Sequence, residues 1–201
     1  MAVESESPRE IGVGLISVGW MGKLHTRAYQ AMPSVYPELG LKCRLVIAAD
    51  TAPDRVEYAK NVLGYERGTT DYREVLNDPD VDVVSICAPN MLHREIGIAA
   101  AKAGKPFWIE KPVGLDATDT AEIAAAAAKA QLVTSVGFNY RDAPAVAHIR
   151  ELVTGGELGR VTGVRCVGQC TVADAHAAAE VVSAAVDAAE RGAWVRVKEI
   201  G

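Results

Sequence analysis

The stretch IGVGLISVGWMGKLHTRAYQAM, residues 11–32, decides the fold. Ile11 to Ser17 form a short apolar run, of the kind buried on both faces of a sheet. Gly19 to Gly22 make a turn, and Met21 to Met32 carry helical spacing until Pro33, which is expected to stop the helix. Strand, glycine turn and helix in this order form the context of a dinucleotide fingerprint. Gly19 lets the backbone approach a pyrophosphate, and Gly22 lets helix and strand pack closely. Trp20 and Met21 lie between them, where the free N–H groups and positive dipole end of the helix hold an anion. Ser17 replaces the first glycine of the fingerprint. A small Ser is expected to fit there, with its hydroxyl in reach of a phosphate. The alternative is a generic strand–helix turn.

Outward from this stretch, strands and helices alternate. Lys42 to Ala49 read as a second strand ending at Asp50. Pro53 opens a helix through Leu63, and Asp71 caps a short one to Leu76. Val81 to Cys87 make a third strand, followed by the loop Ala88-Pro89-Asn90. A helix from Leu92 to Ala103 ends at Gly104. Strand 106–109, helix Asp116 to Ala130 and strand Leu132 to Val136 complete the alternation. Nearly continuous apolar strands between helices predict an α/β, Rossmann-type doubly wound parallel sheet over residues 10–142, behind a flexible tail at 1–9. In 143–201 the pattern predicts a linker helix (Pro144 to Thr154), a strand (Val161 to Val167) and an alanine-rich helix (Val172 to Arg191).

Two features stand at the carboxyl ends of strands, where such sheets bind ligands. Asp50 ends the second strand, where a carboxylate accepts the hydroxyls of an adenosine ribose. It lies 28 residues past Gly22, and the insertion Pro33–Leu41 accounts for the excess over the usual spacing of about 20. A carboxylate repels a 2′-phosphate and no Arg follows directly, so NAD is favoured over NADP; the alternative for Asp50 is a plain helix cap. The second feature is Trp108-Ile109-Glu110-Lys111-Pro112. A Lys at a strand end can donate hydrogen bonds to a substrate oxygen or exchange a proton with it. The alternative is a solvated surface ion pair.

Composition narrows the classes. Of 201 residues, 49% are hydrophobic and 23% charged, which suffices for one substantial core. A net charge of −5 without a basic cluster argues against nucleic acid. Apolar stretches broken every few residues argue against a membrane span. The polar start MAVESESPRE is unlike a secretory signal. Cys43 and Cys87 lie in apolar runs as reduced core residues, while Cys166 and Cys170 lack the partners of a zinc site. A cytoplasmic protein without a metal is expected.

With these pieces placed, the chain resembles the glucose–fructose oxidoreductase and inositol dehydrogenase family (Gfo/Idh/MocA). The likeness rests on SVGWMGKLH at 17–25, VVSICAPNMLH at 83–93, EKP at 110–112 and GFNYR at 137–141, and covers about residues 10 to 165. The resemblance implies an NAD(P)-dependent oxidoreductase, transferring a hydride between a nicotinamide cofactor and a sugar, polyol or related alcohol. It implies that Lys111 is the active-site lysine. Glu110, Ala88, Pro89 and Asn90 then line the nicotinamide side, and His93 begins the following helix as a further cofactor-side residue. Asn139 serves cofactor and substrate sides, Arg141 the substrate side, and His25 packs or caps. The likeness breaks after Gln169: residues 143–201 read as a remnant of a second α+β domain whose large sheet is missing, and Asp174 and His176 read as solvated helix residues. A truncated or non-catalytic dinucleotide-binding module is therefore the alternative. The open edge of 161–167 and the apolar face of 173–189 lead to the expectation of a homo-oligomer.

Overall fold

A computed structural model describes residues 9–138 and 144–160 of the chain. Among these residues six strands, β1 (Arg9–Ile16), β2 (Leu41–Ala49), β3 (Arg67–Thr69), β4 (Val83–Ile86), β5 (Phe107–Ile109) and β6 (Thr134–Val136), form one sheet. Every neighbouring pair is parallel, and the order is β3-β2-β1-β4-β5-β6. The chain winds outward from β1 first to one edge and then, from β4, to the other. The junction of β1 and β4 is therefore the switch point, whose carboxyl end opens a crevice.

Among the described residues six α-helices connect and follow the strands: α1 (Trp20–Val35), α2 (Pro53–Tyr58), α3 (Tyr72–Asn77), α4 (Asn90–Lys102), α5 (Ala117–Lys129) and α6 (Pro144–Thr154). The period of two along the strands divides the core. Val13 and Leu15 of β1 turn to one face, packed with Val18, Leu45, Ala48, Ala59, Leu63 and Tyr65. Ile16 turns to the other, where Val75, Ile86, Ile96, Ala100, Ile109 and Ile123 bring in α3, α4 and α5. Each fully buried Val, Leu or Ile contributes about 1.5–3 kcal/mol, so the two layers hold both faces of the sheet. No helix among the described residues is long and apolar enough to cross a membrane.

Local expectations hold where a cap dictates the boundary. Asp71 accepts the N–H of Arg73, and Asp116 accepts that of Asp119 (2.8 Å), opening α3 and α5. Pro33 does not stop α1, which runs on to Val35. It lies in the last turn, where the missing N–H forfeits a single bond. The helix begun by Pro53 loosens at Ala59 into a π-helical turn reaching Leu63. Strand β3 was not expected, and it is short, at the sheet edge and centred on Gly68. The third strand is shorter than its apolar run: Val81 is buried but precedes β4, where the Asp82 carboxylate accepts the N–H of Gly12 (2.7 Å). The strand expected at 161–167 and the helix at 172–191 lie outside the described residues, as do Asn139, Arg141, Cys166, Cys170, Asp174 and His176.

Candidate active site

The glycine turn joins β1 to α1 at the switch point. Ser17 has φ 76, the left-handed conformation that the fingerprint's first glycine usually supplies. A Cβ on Gly22 would overlap the carbonyl oxygen of Ser17, so the helix start lies directly on the turn. Gly19 differs: a Cβ there meets only Ser17 Oγ, at 3.9 Å, and the space above it is open. The start of α1 has no side-chain cap and no acidic residue in its first turn. Its uncapped N–H groups and positive end thus face open space, which fits the diphosphate of a dinucleotide. Trp20 is exposed beside them, while Met21 is half-buried.

Asp50 stands where the sequence places it, at the end of β2. Its Oδ2 accepts the N–H of Val18 (2.8 Å) and its Oδ1 the N–H of Ala52 (3.0 Å), so it ties the glycine turn to the start of α2. The N-cap of α2 itself is Ala52. Although no Arg follows Asp50 directly, α2 brings the Arg55 guanidinium to 3.6 Å from Asp50 Oδ2. A partly exposed cation there offsets part of the repulsion that the carboxylate offers a 2′-phosphate.

Across the crevice, β5 ends at Ile109 and the chain turns at Glu110-Lys111-Pro112, with a cis peptide between Lys111 and Pro112. Lys111 is exposed, and no described residue bonds its Nζ. Glu110 is buried. Its Oε1 lies 2.9 Å from His25 Nε2, and its Oε2 accepts the backbone N–H of Lys111 (3.3 Å). Gly137, following β6, makes room: a Cβ there would overlap the Glu110 carboxylate. The carboxylate thus points into the protein between α1 and β6.

His93 does not reach the crevice surface. It is fully buried, with Nδ1 2.8 Å from the Pro112 carbonyl and Nε2 2.8 Å from the Ala88 carbonyl. Both partners are acceptors, and no ring nitrogen is left over for a cofactor. The expected cofactor-side residue instead joins the loop after β4 to the loop after β5. Ala88 is buried beneath that loop, and Pro89 and Asn90 remain at the surface with Met91, which is 71% exposed.

The sequence reading misses one cluster. His25 is buried on α1, with Nδ1 2.6 Å from Ser85 Oγ of β4, and the Tyr29 hydroxyl donates to the same Ser85 oxygen (3.3 Å). The ring lies 4.3 Å from that of Trp108. The available signals are a polar Ser85 inside an apolar strand and a His three residues beyond Gly22, on the same helical face. Burial first, then the Glu110 charge, pushes the neighbouring Cys87 thiol up to about 12, so it stays protonated. Among the described residues no group of three or more His, Cys, Asp or Glu converges that could hold a metal.

Comparison with known proteins follows this geometry. Residues 11–138 match the Gfo/Idh/MocA model, described as an oxidoreductase family with an NAD-binding Rossmann fold. The levoglucosan dehydrogenase of Pseudarthrobacter phenanthrenivorans is 40% identical over 158 residues, which are 78% of this chain and 40% of that protein. The myo-inositol 2-dehydrogenase of Thermotoga maritima is 30% identical over 74% of this chain and 42% of its own length. A solved levoglucosan dehydrogenase in complex with NADH and levoglucosan superposes with a TM-score of 0.72 at 38% identity, covering 76% of this chain and 41% of that one. The chain thus spans about two fifths of the length of these relatives.

Proposed function

The chain belongs to the Gfo/Idh/MocA oxidoreductases, a family with an NAD-binding Rossmann fold, and on that premise we propose that it supplies the cofactor half of an NAD-dependent sugar or polyol dehydrogenase. The observation that carries this reading is Lys111, exposed and unbonded among the described residues, just past the end of β5 and next to Glu110, which meets His25 of α1. The substrate class comes from the relatives, which are named as dehydrogenases of levoglucosan and myo-inositol.

In this reading Ser17, Gly19 and the first N–H groups of α1 hold the diphosphate, with Trp20 and Met21 beside it. Asp50 accepts the adenosine ribose hydroxyls, which favours NAD, and the nicotinamide supplies the hydride acceptor when bound. Ala88, Pro89 and Asn90 border its ring on one side, and Glu110 stays beneath. Lys111 Nζ binds the reacting oxygen of the alcohol and exchanges its proton, while Asn139 and Arg141 orient the substrate. A reducing cytoplasm and association with further copies belong to the same reading. A second reading, a truncated or non-catalytic dinucleotide-binding module, follows from the chain matching about two fifths of its relatives' length.

Calorimetric titration with NADH and NADPH tests the cofactor part. NADH is expected to bind more tightly, and Asp50→Ala is expected to cost NADH about 10-fold or more and NADPH less. Equal losses would remove Asp50 from the ribose site. Lys111→Met is expected to leave NADH affinity within about threefold while turnover of the active protein falls by about 100-fold or more. Unchanged turnover would make Lys111 structural.

A further inference from the structure

We propose that His25 is a positioning residue for Lys111, acting through the buried carboxylate of Glu110. The inference rests on the reading of Lys111 as the group that exchanges a proton with the alcohol. Its basis is a hydrogen-bonded chain that crosses three elements. The Tyr29 hydroxyl donates to Ser85 Oγ at 3.3 Å, and Ser85 lies 2.6 Å from His25 Nδ1. His25 Nε2 lies 2.9 Å from Glu110 Oε1, and Glu110 Oε2 accepts the Lys111 N–H at 3.3 Å. One assignment of hydrogens satisfies every partner: Ser85 donates to Nδ1, which the Cys87 thiol also approaches at 3.5 Å, and the ring donates from Nε2 to Glu110. The chain then has a single direction and ends on the carboxylate that holds the Lys111 backbone.

The surroundings leave this chain little freedom. His25, Ser85 and Glu110 are all buried, so a lost partner is not replaced by water at low cost. Trp108 lies against the imidazole and Gly137 leaves the carboxylate its space. His25 sits three residues beyond Gly22, on the helix whose first turn fits the diphosphate. The same helix therefore carries the cofactor's anchor and the anchor of the Lys111 loop. A single rigid body sets the distance between nicotinamide and lysine. A displacement of about 1 Å at a reacting group costs about 100-fold in rate, so such a linkage is felt in turnover and not in cofactor affinity.

Three substitutions separate the two ring nitrogens. His25→Gln places an amide N–H where Nε2 reaches Glu110; His25→Asn reaches Ser85 alone; His25→Leu reaches neither. In the active protein that carries these residues, the Leu and Asn variants are expected to lose about 10- to 100-fold in kcat, with KM for NAD within about threefold. The Gln variant is expected to stay within about threefold of the unmodified protein. In the 201-residue chain, amide exchange at Lys111 is expected to quicken in the Leu and Asn variants while β1 and β2 stay protected. The proposal is overturned if Gln and Asn behave alike, or if kcat is retained in His25→Leu while Lys111→Met is inactive. Loss of protection throughout the sheet in the Asn variant also overturns it, because His25 would then serve general stability. Retained turnover in Lys111→Met removes instead the reading on which the proposal rests.

Discussion

Ser17 and Gly22 divide between them the work of the glycine turn, and they tolerate change differently. Ser17 holds φ 76, which costs a non-glycine residue about 1–2 kcal/mol. Glycine would relieve that strain but loses about 0.4–1 kcal/mol to the greater freedom of its unfolded chain. Ser17→Gly is therefore expected to leave stability unchanged or to raise it, by up to about 1.5 kcal/mol, and to keep NADH binding. Gly22→Ala meets the Ser17 carbonyl, which is backbone and cannot step aside. Denaturant titration is expected to show a loss of about 1–3 kcal/mol, and calorimetry a NADH affinity lowered by about 10-fold or more. A stable, tightly binding Gly22→Ala protein would place the helix start away from the turn. At this scale the sequence is legible where one residue type serves one local need: Gly22 at a close approach, Asp50 and Lys111 at strand ends. It is not legible for His25 and Glu110, because 85 residues separate them and no periodicity links such partners.

Elements carry the next level, and here the loops after β4 and β5 act as a pair. His93, on the first turn of α4, lies against a carbonyl from each: Ala88 on one side and Pro112 on the other. A neutral ring donates one N–H to one of these carbonyls, so replacing His93 with Ala removes that bond and the packing between the two loops, a loss of about 1–3 kcal/mol. Hydrogen exchange followed by mass spectrometry is expected to show faster exchange confined to residues 87–92 and 110–114. Uniformly faster exchange would make His93 an ordinary core residue. The same pairing explains what is legible in the elements. Apolar strands, Asp71 and Asp116 as caps, and Pro53 and Pro144 in first helical turns are local signals, and they give the alternation and the parallel sheet. β3 carries no such signal, since Arg67-Gly68-Thr69 gains its place only from pairing with β2. Nor does α1 announce its passage through Pro33, which depends on how few bonds remain beyond it.

Across the whole molecule, the two faces of the sheet differ in what they bury. The face under α4 and α5 is aliphatic apart from Phe107 and the ring of Tyr72. The face under α1 and α2 encloses Tyr65, with Tyr29, Cys43, Tyr58 and Cys87 packed against it. Burial pushes Tyr29 and Cys87 up to about 12 and raises Tyr65 and Cys43 as well. Each is an acid that stays neutral in the fold and titrates earlier once unfolded. Their contribution is therefore complete below the unfolded values and is lost as pH rises through the folded ones. Cys43 and Cys87 share the start of that window at an ordinary value of 9.0, and the larger share of the loss falls to Cys87, which is pushed up to about 12. Between about pH 8 and about pH 10.5 it is expected to remove on the order of 2 kcal/mol of stability, at 1.36 kcal/mol per unit. Urea titrations at both pH values test this against Cys87→Ala, which lacks the thiol but keeps the fold of the sheet. The variant is expected to be the less stable protein near pH 8, since it leaves a small cavity, and to lose less on going to alkaline pH. An equal loss in both proteins would mean that Cys87 ionises in the fold as readily as in the open chain, and that the α1 face admits water down to β4.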